Sequence, residues 1–469
     1  MSFDSLAYLV FLPAVTLLHW LCPQRFRWVV LLLASLVFYA CWSLPLTGLL
    51  LAVIAVSYLA GRLLASPRAK AARKGILAAA LAVCLGLLAW FKYFRFLAEG
   101  LMALSGLLGH PLRWQLWDVL LPVGISFYTF QAMSYVIDVY RDPARVERHP
   151  GYYALYISFF PQLVAGPIER ADRLLPQLRA ERRPERTELE MGLRLLLSGY
   201  FRKLVLADLC GGFVTRAYSA GQPDGSAVFL GTLLFSLQIY NDFAGYSEIA
   251  QGSARLLGIR LMPNFDRPYL ACGFRDFWRR WHISLTRWFT DYVYIPLGGN
   301  RRGLARQLWA TLLVFALSGL WHGADWSFLV WGLLHGAALS VETLWERRFG
   351  RRERSGPGRW AAMALTFLAV SFAWIFFRAG SLGQAAFLIG RLFSPWDLRA
   401  GLALLAMGPA ELLWLLLGLS QLGLLAKLSR ETEARPRDLT WVYLLLSIGL
   451  AWLIRLQQNG ANAFIYFQF

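Results

Sequence analysis

Apolar residues run along this chain in unbroken blocks close to the ~20 residues that cross a hydrocarbon core, rather than at the spacing of a helix with one watered face. The first block is Leu6 to Leu21. Trp28 to Leu64 is too long for one crossing, and its Ser43-Leu44-Pro45 break predicts a turn between two spans. Further blocks lie near Ile76 to Trp90, Leu120 to Tyr140, Tyr152 to Gly166, Gly192 to Val214 and Ala227 to Ala244. They resume near Trp309 to Leu320, Trp326 to Leu344, Trp360 to Phe377, Leu402 to Leu425 and Trp441 to Leu456. None alternates apolar and polar residues with period two, so a membrane barrel is not indicated. The predicted fold class is all-α: a multi-pass integral membrane protein with about eleven transmembrane helices plus re-entrant or interfacial helices. No internal repeat or long linker interrupts the pattern, so residues 1–469 are read as a single domain.

Two stretches depart from it. Glu169 to Glu190 is a polar loop with six arginines, predicted to be a cytoplasmic connection carrying a surface helix. Gly245 to Gly299 interleaves arginines with Tyr269, Trp278, Trp281 and Trp288, the composition of an interfacial or re-entrant segment.

Charge sharpens the topology. The formal net charge is +19, yet the basic residues sit in short connections between apolar blocks, as the positive-inside rule and contact with anionic membrane lipids require. Nucleic acid is therefore not an expected partner. Arg25 and Arg27 fall on the same, cytoplasmic, side as Arg62, Arg68, Lys70, Arg73 and Lys74, with the N-terminus outside. Met-Ser-Phe-Asp has no basic n-region or cleavage site, so the first block is read as an uncleaved span. Cys22, Cys41, Cys84, Cys210 and Cys272 are far apart and form no ligand spacing.

An ionisable group at membrane depth is costly and is by default a functional candidate. Lys203, Asp208, Asp242, Glu248, His282, His322, Asp325 and His335 meet that description, and Gln238 to Glu248 packs several hydrogen-bonding groups into one end of a span. Histidine is the informative type, because it exchanges a proton near neutral pH. His322 stands between Gly319 and Gly323 at the junction of two apolar blocks. It reads either as a packed, hydrogen-bonded core residue or as a lone general base. The separations of His282, His322 and His335 match no compact metal motif, so no metal is expected. No GxSxG elbow, P-loop or dinucleotide fingerprint is present. Arg279, Arg280 and Arg287 suit phosphate groups of a donor, or plain topology and lipid contact.

Seven blocks, in order along the chain, resemble the membrane-bound O-acyltransferases, in particular the bacterial branch of alginate O-acetylases and D-alanyl transfer proteins. They are Pro122 to Gln131, Phe160 to Ile168, Asp242 to Ser247, Phe277 to Leu285, Tyr294 to Gly299, Leu320 to Gly323 and Phe464 to Phe469. The resemblance implies a ring of tilted helices around a central tunnel in the bacterial inner (cytoplasmic) membrane. It makes His322 the catalytic residue and His282 a second functional one; Asn241, Asp242, Trp281, Trp321, Arg279 and Arg280 are the candidate substrate-binding or supporting residues beside them. Where the family pattern often reads Asp-Phe-Ser-Gly-Tyr-Ser-Asp, this chain has Ala244 and Glu248 at the serine and final aspartate positions.

The expected activity is transfer of an acetyl group from a cytoplasmic thioester to an exported polysaccharide, alginate- or cellulose-like. The donor is acetyl-CoA or an acyl thioester carrier, and no cofactor is tightly bound. Periplasmic acetyltransferases are expected partners. Peptidoglycan O-acetylation and D-alanyl transfer to teichoic acid are the alternatives within the family, and an acyl-donor transporter or pore without transfer chemistry is the alternative outside it.

Overall fold

The computed structural model describes residues 1–112, 114, 116–117, 120–164, 166–350 and 355–405, and these form helices joined by turns and short connections. The predicted span from Trp441 to Leu456, that from Leu402 to Leu425 beyond residue 405, and the block Phe464 to Phe469 lie outside the described residues.

The helices gather into two compact units, residues 1–192 with 250–262 and residues 193–249 with those from 263 onward. In the first, α1 (Leu6–Leu21) starts at Ser5, whose hydroxyl accepts the Tyr8 N–H at 3.2 Å. The long second block divides as predicted into α2 (Arg27–Ala40) and α3 (Leu44–Leu64). Ser43 caps α3, and Pro45 sits in its first turn, where the missing N–H costs nothing. α4 (Arg73–Leu88), a π-helical segment Ala89–Tyr93 and α5 (Phe94–Leu107) then run on as one apolar helix. The predicted end at Trp90 comes too early. The helix runs on through Lys92 and Arg95, and Arg95 pairs with Glu99 one turn later at 2.8 Å.

α6 (Ile125–Arg141) begins after Gly124, which has φ +74° and lies so close to Leu163 O that a Cβ would come within 2.5 Å of it. α7 (Pro150–Ser158) and the single turn α8 (Phe160–Leu163) follow. The polar loop holds the predicted surface helix, α9 (Ala171–Arg179), which buries Leu174, Leu175 and Leu178 and exposes Asp172, Arg173 and Arg179. Residues 250–262 complete this unit: the Tyr8 and Ser253 hydroxyls are 2.7 Å apart, and Trp20 donates to Leu256 O at 2.8 Å. Glu188 takes Arg255 at 2.9 Å and Arg260 at 2.5 Å. Burial raises this carboxyl, but the Arg260 hydrogen bond and both guanidinium charges outweigh that and hold it below the usual range.

α10 (Arg186–Tyr200) leads into the second unit and continues without a break through a π-helical segment, Phe201–Ala207, into α11 (Asp208–Ser219). α12 (Gly225–Leu256) is 32 residues long, so the polar block Gln238 to Glu248 lies inside one helix rather than at its end. α13 (Phe274–Arg280) and α14 (Ile283–Phe289) are short helices set at an angle-changing turn within the Arg- and Trp-rich stretch. α15 (Leu304–His322) and α16 (Trp326–Phe349) form a hairpin, followed by α17 (Gly356–Arg378), α18 (Leu382–Leu392) and α19 (Leu398–Leu405).

Six helices among the described residues are long and apolar enough to cross a membrane: 44–64, 67–107, 225–256, 304–322, 326–349 and 356–378. The 21 residues of α3 span about 30 Å at 1.5 Å per residue, the thickness of the hydrocarbon layer.

Candidate active site

The second unit is organised by an aromatic core. Trp281, Trp331 and Trp374 are buried to within 1 % exposure. The rings of Trp331 and Trp374 stack at 5.4 Å, Trp281 and Trp374 meet at 5.1 Å, and Phe277 stacks on Trp281 at 5.4 Å. The three candidate histidines touch this core in different ways. His335 on α16 takes a hydrogen bond at Nδ1 from Trp278 Nε1 (3.3 Å) and stacks on Phe277. Its indole partner gives it a packing role.

His282 and His322 instead meet each other, with ring centroids 6.2 Å apart at 59°. His322 is the last residue of α15, 3 % exposed, and its ring lies edge-on to Trp331 (5.2 Å), Trp321 (5.0 Å) and Phe377 (5.3 Å). The hairpin that carries it is closed by glycine: a Cβ on Gly319 would stand 2.2 Å from Phe328 O, and one on Gly332 would stand 2.1 Å from Phe315 O. Beyond the turn, Asp325 caps α16 by accepting the Ser327 N–H at 2.7 Å.

His282 is fully buried between α13 and α14 and has φ 42° and ψ 55°. A left-handed backbone costs a residue with a Cβ roughly 1–2 kcal/mol, so the surroundings must hold it there. Its ring packs edge-on to Phe243 of α12 at 4.7 Å and to Trp321 at 5.8 Å. Burial pushes its imidazole down to about 3, which keeps the ring neutral at neutral pH.

Asn241 and Asp242, which precede Phe243 on α12, engage cations from the π-helical segment. Arg202 donates to Asn241 Oδ1 at 3.1 Å and pairs with Glu248 at 3.0 Å, while its guanidinium lies over the Tyr240 ring at 5.5 Å. Lys203 Nζ is 2.8 Å from Asp242 and 3.1 Å from Asp208. Gly199 and Gly245 let the two helices cross this closely: a Cβ on either would stand 2.6 or 2.7 Å from the other's carbonyl oxygen. This pairing explains why the polar block stays helical in an apolar unit, since each charge finds its opposite. Lys203 stood out in the sequence as a charge inside an apolar block. Arg202, beside it, and Asn264, described below, did not.

Trp321 touches both histidines directly, whereas Trp281, next to His282 in the chain, packs into the aromatic core against Trp374 and Phe277. Arg280 is tied to Asp276 at 2.7 Å, whereas Arg279 and Arg287 are exposed. Among the described residues no group of three or more His, Cys, Asp or Glu side chains is placed to hold a metal ion.

Two buried imidazoles in ring contact, with Trp321, Trp331, Phe243 and Phe377 packed edge-on to them, are groups of the type that can exchange a proton with a substrate hydroxyl. The family model for membrane-bound O-acyltransferases matches residues 126–377, which include both histidines. A probable alginate O-acetylase of Pseudomonas putida is 35% identical over 100% of both chains. A peptidoglycan O-acetyltransferase of Helicobacter pylori is 34% identical over 76% of this chain and 71% of its own. A teichoic acid D-alanyltransferase of Bacillus subtilis is 28% identical over 54% of this chain and 68% of its own. With a matched region of that length and a relative similar from end to end, this multi-pass membrane protein belongs to the membrane-bound O-acyltransferase family.

Proposed function

We propose that this acyltransferase of the bacterial inner membrane moves an acetyl group from a cytoplasmic thioester, acetyl-CoA, onto hydroxyls of an exported polysaccharide of the alginate type, directly or through a periplasmic acetyltransferase. The observation that carries the chemistry is the buried ring contact between His282 and His322. The end-to-end similarity to the probable alginate O-acetylase supports the choice of acceptor over teichoic acid, where the match spans 54% of the chain. In this reading about eleven helices surround a tunnel that brings donor and acceptor to the pair.

His322 is the general base. One of its ring nitrogens takes the proton of the acceptor hydroxyl as that oxygen attacks the thioester carbonyl. The tetrahedral intermediate then collapses, the carbon–sulfur bond breaks, and the proton passes from His322 to the departing thiolate, leaving an acetyl ester and a free thiol. His282, kept neutral by burial, supplies an N–H to the oxyanion, where a preorganised donor has most effect. Asn241 and Asp242 support the site through the Arg202 and Lys203 pairs, Trp281 and Trp321 exclude water, and the exposed Arg279 and Arg287 suit the donor's phosphates.

The test is acetyl transfer from labelled acetyl-CoA by purified protein. His322→Gln keeps the size of the side chain without a titratable ring and is expected to lower the rate by about a hundred- to ten-thousand-fold. An undiminished rate in a folded variant would remove the base. Failure of the wild-type protein alone to transfer would favour a pore that hands the donor to another enzyme.

A further inference from the structure

His282 stands at the N-cap of α14 and makes no hydrogen bond from its side chain to that helix's first turn. The chain also contains the opposite case. His149, at the N-cap of α7, turns its own Nδ1 onto the helix and accepts the N–H groups of Gly151 (3.1 Å) and Tyr152 (3.2 Å). At His282 the left-handed backbone swings the side chain off the helix axis and toward Phe243, Trp321 and His322. The first-turn donors still need acceptors, because an orphaned buried N–H is costly.

Asn264 meets that need from outside the helix. Its backbone carbonyl accepts the Ile283 N–H at 2.9 Å, and its side-chain Oδ1 accepts both the Ser284 N–H at 3.2 Å and the Ser284 hydroxyl at 2.6 Å. On its other side the amide group points to Ser247 Oγ of α12 at 3.4 Å, one turn beyond Phe243. Asn264 is itself 1 % exposed. A second backbone link, Asp266 N–H to Arg280 O at 3.0 Å, fastens the same loop to the end of α13, so the turn holding His282 is gripped on both flanks.

We infer that Asn264 is the positioning residue of the site: by capping α14 in place of His282 and tying that cap to α12, it holds the turn in which the imidazole of His282 faces His322. The inference rests on the proposed acyl transfer. It assigns Asn264 no contact with substrate. Its effect passes through the direction of one ring, and such misplacements near 1 Å cost about a hundredfold in rate.

The experiment measures kcat and KM for acetyl-CoA in purified, full-length Asn264→Ala, Asn264→Asp, His282→Gln and Asn264→Ala/His282→Gln proteins, with thermal stability of each. Asn264→Ala is expected to lower kcat about a hundredfold with KM little changed. Asn264→Asp, which keeps an acceptor for Ser284, recovers most of that loss. In the His282→Gln background the Asn264→Ala change adds nothing, because the ring it positions is gone. Should Asn264→Ala fail to fold, Ser284→Ala deletes only the 2.6 Å hydroxyl contact and carries the same comparison with His282→Gln. If His282→Gln lowers kcat while the Asn264 or Ser284 change does not, or if the two losses multiply, Asn264 is only a structural cap. A wild-type rate in both His282→Gln and His322→Gln overturns the proposed chemistry as well.

Discussion

Lys203 is a residue whose anomaly the sequence displays and whose meaning it hides. An ammonium group inside an apolar block is expensive, and its side chain is only 3% exposed, as is that of Asp242 at 2.8 Å. Removing one member of such a pair leaves the other charge buried, at a cost of about 3–5 kcal/mol. Lys203→Met is therefore expected to lower the thermal midpoint of the purified protein by many degrees, and Lys203→Met/Asp242→Asn to recover part of the loss. Equal midpoints for the wild type and Lys203→Met would mean that the pair is not buried as described. The histidines were legible for a related reason: few groups titrate near neutral pH, and His322 sits between glycines that only a close approach explains. Asn264 was not legible. Its partners lie about twenty positions on, and an asparagine after proline reads as an ordinary turn former. His335 shows the opposite limit, since nothing in its apolar neighbourhood reveals the indole that occupies it.

At the level of elements, the apolar blocks located the helices well, and their ends were misjudged wherever charges pair within the fold. α4 and α5 run on past Trp90 through an intrahelical ion pair, and α12 extends through the polar block because Arg202 and Lys203 answer it. Hydropathy sees the charge and not the partner. α18 was missed because its 11 residues are too few to register as a crossing. The α15–α16 hairpin depends on a contact that composition cannot show, the approach of Gly319 and Gly332 to facing carbonyl oxygens. Gly332→Leu is expected to destabilise the protein by about 3 kcal/mol or more, beyond ordinary overpacking, since backbone rather than a flexible side chain must move. Gly86→Ala on α4, where a Cβ meets nothing within 4 Å, is expected to be neutral or to stabilise by up to about 1 kcal/mol. Thermal melts of the two variants side by side test this, and equal behaviour would contradict the packing of the hairpin.

For the whole molecule, the membrane class followed from block length alone and the family from motifs in the right order, while the acceptor polymer is carried by similarity rather than by any residue in the site. What gives the molecule its purpose in this account is direction: a cytoplasmic thioester is consumed and an ester appears on the far side. The decisive measurement places the purified protein in sealed vesicles, with labelled acetyl-CoA on the side of the basic loops and alginate on the other. The account predicts labelled ester on the polymer or on an added periplasmic acetyltransferase with wild-type protein, and loss of it by about a hundredfold or more with His322→Gln. Full transfer by the His322→Gln protein, in vesicles that stay sealed, would contradict it.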